Sequence, residues 1–422
     1  MKILGYRREN GTFGVRNHLL ILPTSVCATD TAAKIAAQVP GAVYVSNEHG
    51  CCQIGSDQEQ TERTLAGFGM NANVGAVLVV GLGCDGIQAD DLAKRIAVTG
   101  KPVDAITIQG CGGTLKAISR GGEIACAMAA KLSTQVRTEG DISEIILGME
   151  CGGSDPTSGL ASNPSIGYVS DKLCSLGGSS ILSETTEVIG AEHILAKRFV
   201  DADQREKFLT MVHNVEERAL KLGEDLRTGQ PTPGNKAGGL STIEEKSLGC
   251  MYKAGTEAPF MGALDYSEML PLEKKGLYFM DTPGQDIESI TGMVAGGATV
   301  VVFSTGRGTP TGSPIAPVIK ITGNTDTYNN MPDNIDVNAG KIITEGATIK
   351  DIGEETFQLL LDVCNGKLTK AEAPGVWYLQ SIWHILSKDG GYYENITDCK
   401  EMSGRFDDCS AALGCPGEYL RS

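Results

Sequence analysis

Thirteen cysteines occur in this chain of 422 residues, and several of them recur at one kind of place, beside glycine just past a short apolar run. Leu19–Leu22 leads to Cys27, Val43–Ser46 to Cys51 and Cys52, and Val77–Val80 to Cys84 in GLGCDG. Ile106–Ile108 leads to Cys111 in QGCGG, and Ile145–Leu147 to Cys151 in MECGGSD. Thiolates are soft ligands that suit iron–sulfur clusters, zinc or copper. Three of them from separate loops would leave a coordination position open for a substrate. The spacing contains no CxxC pair and no ferredoxin-like run, so small residues filling tight turns remain the plain alternative.

The elements that must place these residues alternate. Apolar runs at 18–22, 43–46, 76–80, 105–108 and 145–147 are separated by helical patterns near 28–38, 58–71, 90–98 and 115–131. This alternation predicts βαβ units on a parallel sheet covered on both faces. In such a sheet the strand C-termini share one edge, where ligands bind, so residues far apart in sequence can meet there. Further on, strands are expected at 179–182, 277–280 and 299–304, with helices at 204–226, 286–294 and 354–364. A Gly/Pro/Thr-rich loop is expected over 227–249. The expected class is α/β, with two domains on mostly parallel sheets and helices on both faces. The first spans 1–160 and the second 161–386. The remainder, 387–422, is polar, rich in glycine and carries three cysteines.

A net charge of −16 argues against a nucleic-acid partner, whose phosphates call for a basic surface. No apolar run reaches the roughly 18–20 residues of a membrane span, and the start MKILGYRREN lacks a signal-peptide core. The reading is cytoplasmic, where cysteines stay reduced. An oligomer is expected.

Other residues could carry acid–base or anion-binding chemistry. His49, one residue before the Gly50-Cys51-Cys52 turn, is a candidate base or metal ligand, or a loop histidine bonded to backbone. His193 follows Glu184, Glu187 and Glu192, any of which could orient its imidazole. Lys236 in PGNKAGG could bind a carboxylate or act as a base once desolvated, whereas Lys246 reads as a helix-surface charge. Arg307 in STGRGTPTG follows a strand directly and suits bidentate carboxylate binding. Arg16 and Asn17 precede the first apolar run and read as structural. GLGCDG is not a dinucleotide fingerprint, because its glycines are out of register.

Long ordered motifs resemble the altronate/galactarate dehydratase family over roughly residues 5–365: GYRRENGTFGVRNHLLILPTSVCA, GCCQIGSDQEQT, LGMECGGSDPTSGLASNP, ILSETTEVIGAEH, PTPGNKAGGLSTIEEKSLG and VAGGATVVVFSTGRGTPTGSPIAPVIKITGN. The resemblance implies an iron-dependent lyase that takes altronate or galactarate to 2-keto-3-deoxy acids, or cleaves sulfolactate to pyruvate and sulfite. It implies iron as Fe2+ or a [4Fe-4S]-type cluster with an open position, on Cys51, Cys84 and Cys151, which fall at matching motif positions. Many members carry an N-terminal domain of about one hundred residues, the size of a small domain. This chain begins at the large region, so a separate small subunit is expected. Cys52 stands where the family has serine, and Cys111 where an acidic or apolar residue is expected.

Dehydrating a small hydroxy acid requires a base for a weakly acidic α-proton and charge stabilisation beside the carboxylate. His49, His193 and Lys236 are the catalytic candidates. Arg307, Asn235, Ser154, Asp155 and Glu184 form the expected substrate-binding set. The rival from another class is an iron–sulfur redox protein, which a fourth cysteine ligand would favour.

Overall fold

A computed structural model describes residues 1–374 of the chain. The expected extension at 387–422 lies outside the described residues. Four parallel strands, β3 (His18–Pro23), β4 (Ala42–Tyr44), β5 (Val74–Gly81) and β6 (Val103–Thr107), form one sheet in the order β4-β3-β5-β6. Helices α1 (Val26–Ala36), α2 (Gly55–Met70), α3 (Ala89–Ala97) and α4 (Thr114–Ser133) alternate with these strands, as the periodicity predicts. A small antiparallel sheet, β2-β1-β7, joins β1 (Lys2–Arg7), β2 (Phe13–Gly14) and β7 (Thr138–Asp141).

The fifth apolar run departs from expectation. It becomes β8 (Ile146–Gly152), which pairs with β9 (Ser179–Leu182) and β12 (Val300–Thr305) at the centre of a second, seven-stranded sheet. With β10 (Phe260–Leu264), β11 (Leu277–Met280), β13 (Val318–Thr322) and β14 (Val337–Asn338), the order is β10-β11-β9-β8-β12-β13-β14, and every pairing is parallel. The chain fills one side of β8 with β9, β10 and β11, the last inserted between the other two, and then, from β12, builds outward on the other. The gap between β8 and β12 is therefore a topological switch point, the place where open α/β sheets bind ligands.

Period-two alternation divides each strand between two cores. Val300 and Val302 pack with α5 (Asn163–Ser175) and α14 (Ile349–Cys364), whereas Val301 and Phe303 share a core with Leu20, Leu22, Val77 and Val79 of the smaller sheet. Leu19, Ile21, Leu78 and Val80 face α1 and α4. The two sheets thus sandwich a common apolar layer containing α2 and α11 (Asp286–Ala295). Helices α2 and α11 touch so closely that a Cβ on Gly67 would lie 2.3 Å from the Ala295 carbonyl oxygen. Asn73, just before β5, donates to the carbonyls of Thr299 and Ile315 at 2.9 and 3.0 Å, joining the strand-start edges of both sheets.

Two further expectations are corrected. The helix predicted at 204–226 is α7 (Ala202–Lys221), capped by Asp201 and followed by Gly223 at φ 80°, a left-handed position that stops a helix. The predicted loop at 227–249 contains α8 (Leu226–Gly229), α9 (Pro233–Ala237) and α10 (Ile243–Cys250). The Asp, Thr and Pro residues that suggest a loop serve there as caps and first-turn residues: Asp225, Thr232 and Thr242 each accept a backbone N–H, and Pro233 opens α9. Short helices α6 (Glu192–Leu195), α12 (Thr325–Asn330) and α13 (Lys341–Thr344) complete the set. Among the described residues, no helix is long and apolar enough to cross a membrane.

Candidate active site

Strand β8 carries two chemically active residues in succession, Glu150 and Cys151, so alternation sends them to opposite faces of the larger sheet. Cys151 is therefore not in a loop, as the sequence suggests, but inside the strand and buried. Its sulfur lies 3.5 Å from Cys250 Sγ at the end of α10 and 2.9 Å from Glu187 Oε2. The neighbouring β9 runs into Glu184, held in the left-handed region at φ 71°, a conformation costing a non-glycine residue about 1–2 kcal/mol. The strain is offset by contacts: Glu184 Oε2 accepts from the Cys151 backbone N–H at 3.2 Å and from Lys253 Nζ at 2.8 Å.

Lys253 is 1% exposed and joins the two faces. Its ammonium also donates to Cys151 Sγ at 2.9 Å and to Glu187 Oε2 at 3.4 Å. Lys246 on α10 pairs with Glu187 Oε1 at 2.9 Å and donates to Asn235 Oδ1 at 3.2 Å. Expected on the helix surface, Lys246 is instead nearly buried, because α10 turns that side toward Glu187 on the turn after β9. On the other face, Ser289 of α11 donates to Glu150 Oε2 at 2.6 Å. Asp286, in the first turn of α11, packs on Gly152 so tightly that a Cβ there would meet its carboxylate at 2.2 Å.

Burial and neighbouring charges set the protonation pattern. Burial, then Glu187, pushes Glu184 up to about 8. The same two causes push Asp286 up to about 6, and burial with Glu184 raises Glu150 well above the carboxylate range. Glu187 is the exception: burial would raise it, but Lys246 and Lys253 outweigh burial and hold it ionised. Lys253 stays protonated, since Cys151, Glu184 and Glu187 overcome its desolvation. Hydrogen bonding to Cys250 and burial keep Cys151 a thiol. The site therefore offers fixed ammonium groups for an anion, one ionised carboxylate, and carboxyls that titrate near neutrality and can exchange protons.

The structure gathers part of the sequence-predicted set. Cys151 and Glu184 are central. Ser154 Oγ lies 3.6 Å from Cys151 Sγ, and Asn235 Nδ2 donates to the Ser154 carbonyl at 3.0 Å. Asp155 accepts from Asn324 at 3.3 Å. A cavity of about 240 Å3 lined by Ser154, Asp155, Asn163, Lys246 and Cys250 adjoins the cluster. Arg307 is exposed at the strand-end edge, its backbone bonded to the Gly153 carbonyl at 2.9 Å and its guanidinium to the Gly234 carbonyl at 2.9 Å. Lys236 on α9 and His193 on α6 are exposed. His49 is half-buried in the loop after β4, where its carbonyl accepts from Val26 at 2.7 Å. Cys51 and Cys84 are exposed at strand ends of the smaller sheet, and the compact donor group around Cys151 consists of Cys250 and Glu187. Arg16 is structural, as expected, paired with Glu372 at 2.7 Å in the interior.

Lys253, Cys250, Glu150 and Asp286 do not stand out in the sequence, and Glu187 does so only as a carboxylate that could orient His193. One signal was available: Lys246, Cys250 and Lys253 recur at i, i+4 and i+7, one helical face, and Glu184 and Glu187 stand three apart on a turn.

Comparison with known proteins bears on this geometry. Residues 142–386 match the family model described as D-galactarate/Altronate dehydratase, C-terminal, and residues 5–133 match D-galactarate dehydratase/Altronate hydrolase, second domain. The chain is similar to the (2R)-sulfolactate sulfo-lyase subunit beta of Chromohalobacter salexigens, with 37% identity over 88% of this chain and 95% of that protein. It is similar to altronate dehydratase of Bacillus subtilis, with 34% identity over 87% of this chain and 75% of that protein. Galactarate dehydratase (L-threo-forming) of Escherichia coli is 36% identical over 72% of this chain and 59% of that protein.

Proposed function

Since the chain belongs to the D-galactarate/altronate dehydratase family, whose named relatives make it a hydro-lyase, we propose that it dehydrates a sugar acid such as altronate or galactarate to a 2-keto-3-deoxy acid. The observation that carries this reading is the buried array of Lys246, Lys253, Glu184, Glu187 and Cys151 beside the β8–β12 switch point. Lys246, on the cavity wall, binds the substrate carboxylate, and Ser154 and Asn235 hold its hydroxyls. Glu187, the ionised carboxylate, accepts the proton from C2. Glu187, now carrying that proton, delivers it to the departing C3 hydroxyl, which leaves as water. The enol then takes a solvent proton at C3 to give the keto acid.

Iron is the cofactor we assign. Cys51 and Cys84, exposed on the other sheet, do not favour a closed iron–sulfur cluster with Cys151. The carboxylates Glu150, Glu184 and Asp286 fit a single hard divalent ion. Bound there, Fe2+ would act as a Lewis acid toward the charge that develops as C2 loses its proton.

A second reading, sulfo-lyase activity on sulfolactate, is favoured by the 95% coverage of the sulfolactate sulfo-lyase subunit against 75% of the altronate dehydratase. That relative is named as a subunit, which supports function with a separate small subunit. The test is anaerobic incubation of the Fe2+-supplemented protein, alone and with proteins that co-purify from its own host, with altronate, galactarate and sulfolactate. A 2-keto acid from a sugar acid supports dehydration. Pyruvate and sulfite from sulfolactate select the second reading. No keto acid from any of the three contradicts both.

A further inference from the structure

Cys151 in β8 and Cys250 at the end of α10 are 99 residues apart in sequence, yet their sulfurs stand 3.5 Å apart, and both are free thiols. No step of the elimination draws on either sulfur. A disulfide bond is about 2.0 Å long, so joining the pair takes about 1.5 Å of approach, shared between two side chains and the last turn of a short helix. Cys151 Sγ is held for this by Lys253 Nζ and Glu187 Oε2, each at 2.9 Å, and presents a fixed sulfur to Cys250. Access differs between the two thiols. Cys250 lines the cavity of about 240 Å3 with Ser154 and Lys246, whereas Cys151 lies behind that wall and is 1% exposed. Such a volume admits several water-sized molecules. A small oxidant entering the cavity therefore meets Cys250 first, and Cys151 is the thiol waiting behind it. A reacting cysteine with a second thiol poised beside it is the usual layout of a reversible oxidation site.

We propose that Cys250 and Cys151 form a modification site for a small hydroperoxide, with Cys250 oxidised first and Cys151 resolving it to a reversible disulfide. In the first step Cys250 Sγ takes one oxygen of hydrogen peroxide. The O–O bond breaks, and the departing hydroxide leaves as water with the thiol proton. In the second step Cys151 Sγ attacks the sulfenic sulfur of Cys250. The S–O bond breaks, and hydroxide again leaves as water, with the Cys151 proton. Two thiols lose two electrons and one peroxide becomes two waters. The bond removes the S–H that Glu187 accepts and ties the end of α10 to β8, and a dithiol reverses it by exchange. The readout is a covalent bond, so it stands apart from turnover. Chelator-treated full-length protein is exposed to hydrogen peroxide, its remaining thiols are alkylated, and its peptides are mapped by mass spectrometry before and after dithiothreitol. Expected is a Cys151–Cys250 linkage, lighter than the reduced pair by two hydrogens and lost with dithiothreitol, while Cys364, buried in the α14 core, stays a thiol. Cys250→Ser should leave Cys151 reduced under the same exposure. Cys151→Ser should stop Cys250 at the sulfenic acid, trapped by dimedone. Absence of the linkage at a peroxide concentration that oxidises exposed Cys51 and Cys84 overturns the proposal. So does oxidation of Cys151 in Cys250→Ser at the wild-type rate, or a linkage that forms only once Cys364 reacts as well, the sign of an unfolded chain.

Discussion

Replacing Lys253 by Met keeps most of the side-chain volume and deletes one charge. The structure makes the consequence large. The ammonium is 1% exposed and holds Glu184 at 2.8 Å, Cys151 at 2.9 Å and Glu187 at 3.4 Å. Removing one partner of a buried ion pair leaves the other uncompensated, at about 3–5 kcal/mol. Lys253→Met should therefore lower the unfolding free energy of the chelator-treated protein by about that amount near pH 7, read as a fall in urea midpoint at unchanged slope. Adding Glu184→Gln should restore at least about 1 kcal/mol, because contacting residues in one network couple. A loss below about 1 kcal/mol in the single variant, the size of an ordinary substitution, or additivity in the double variant, would refute the reasoning that Lys253 neutralises this cluster.

Three other outcomes follow from the same structure. Lys246→Ala should reduce kcat/KM by about tenfold or more, roughly 1.4 kcal/mol of lost transition-state binding, while Lys236→Ala on exposed α9 leaves it near wild type; steady-state kinetics on both variants checks this, and the reverse order contradicts the site. Burial, then Arg16, pushes His18 down to about 4, so its contribution to stability is complete above its unfolded value of about 6.5 and is lost as pH falls through about 4; His18→Leu should flatten the urea-midpoint profile across that window, and an unchanged profile is the contrary result. Gly67→Val should cost about 1–3 kcal/mol by overpacking α2 on α11, since even a Cβ meets the Ala295 carbonyl oxygen at 2.3 Å; an unaltered Tm would mean the helices can separate freely.

The smaller sheet and its helices were legible because each element repeats the period-two and period-3.6 patterns over several residues. Sheet membership was not: the run at 145–147 looks like the four before it, and only pairing with β9 and β12 assigns β8 to the other sheet. That error carried into the site. Cys151 was grouped with Cys51 and Cys84 because all follow apolar runs beside glycine, yet β8 continues through Cys151 and buries it. Of the residues expected from motifs, Ser154 and Glu184 both touch Cys151, and Asn235 bonds the Ser154 carbonyl. Lys253 and Lys246 read as surface residues, as lysines ordinarily are; their i, i+7 spacing puts them on one helical face with Cys250, but only the tertiary packing brings that face against Glu187. Short helices within 227–249 hid behind the very Thr and Pro residues that cap them.

The central claim is that this cluster removes a proton from C2 of a hydroxy acid while expelling the group on C3. Proton NMR of the Fe2+-supplemented protein under anaerobic D2O, with altronate, galactarate or sulfolactate, tests it most directly, with Glu187→Gln alongside. The account predicts a 2-keto product carrying deuterium at C3 from the wild type, and loss of that product in Glu187→Gln with its fold intact. A wild type that forms no keto acid from any of the three, or a Glu187→Gln variant that turns over at the wild-type rate, would contradict it.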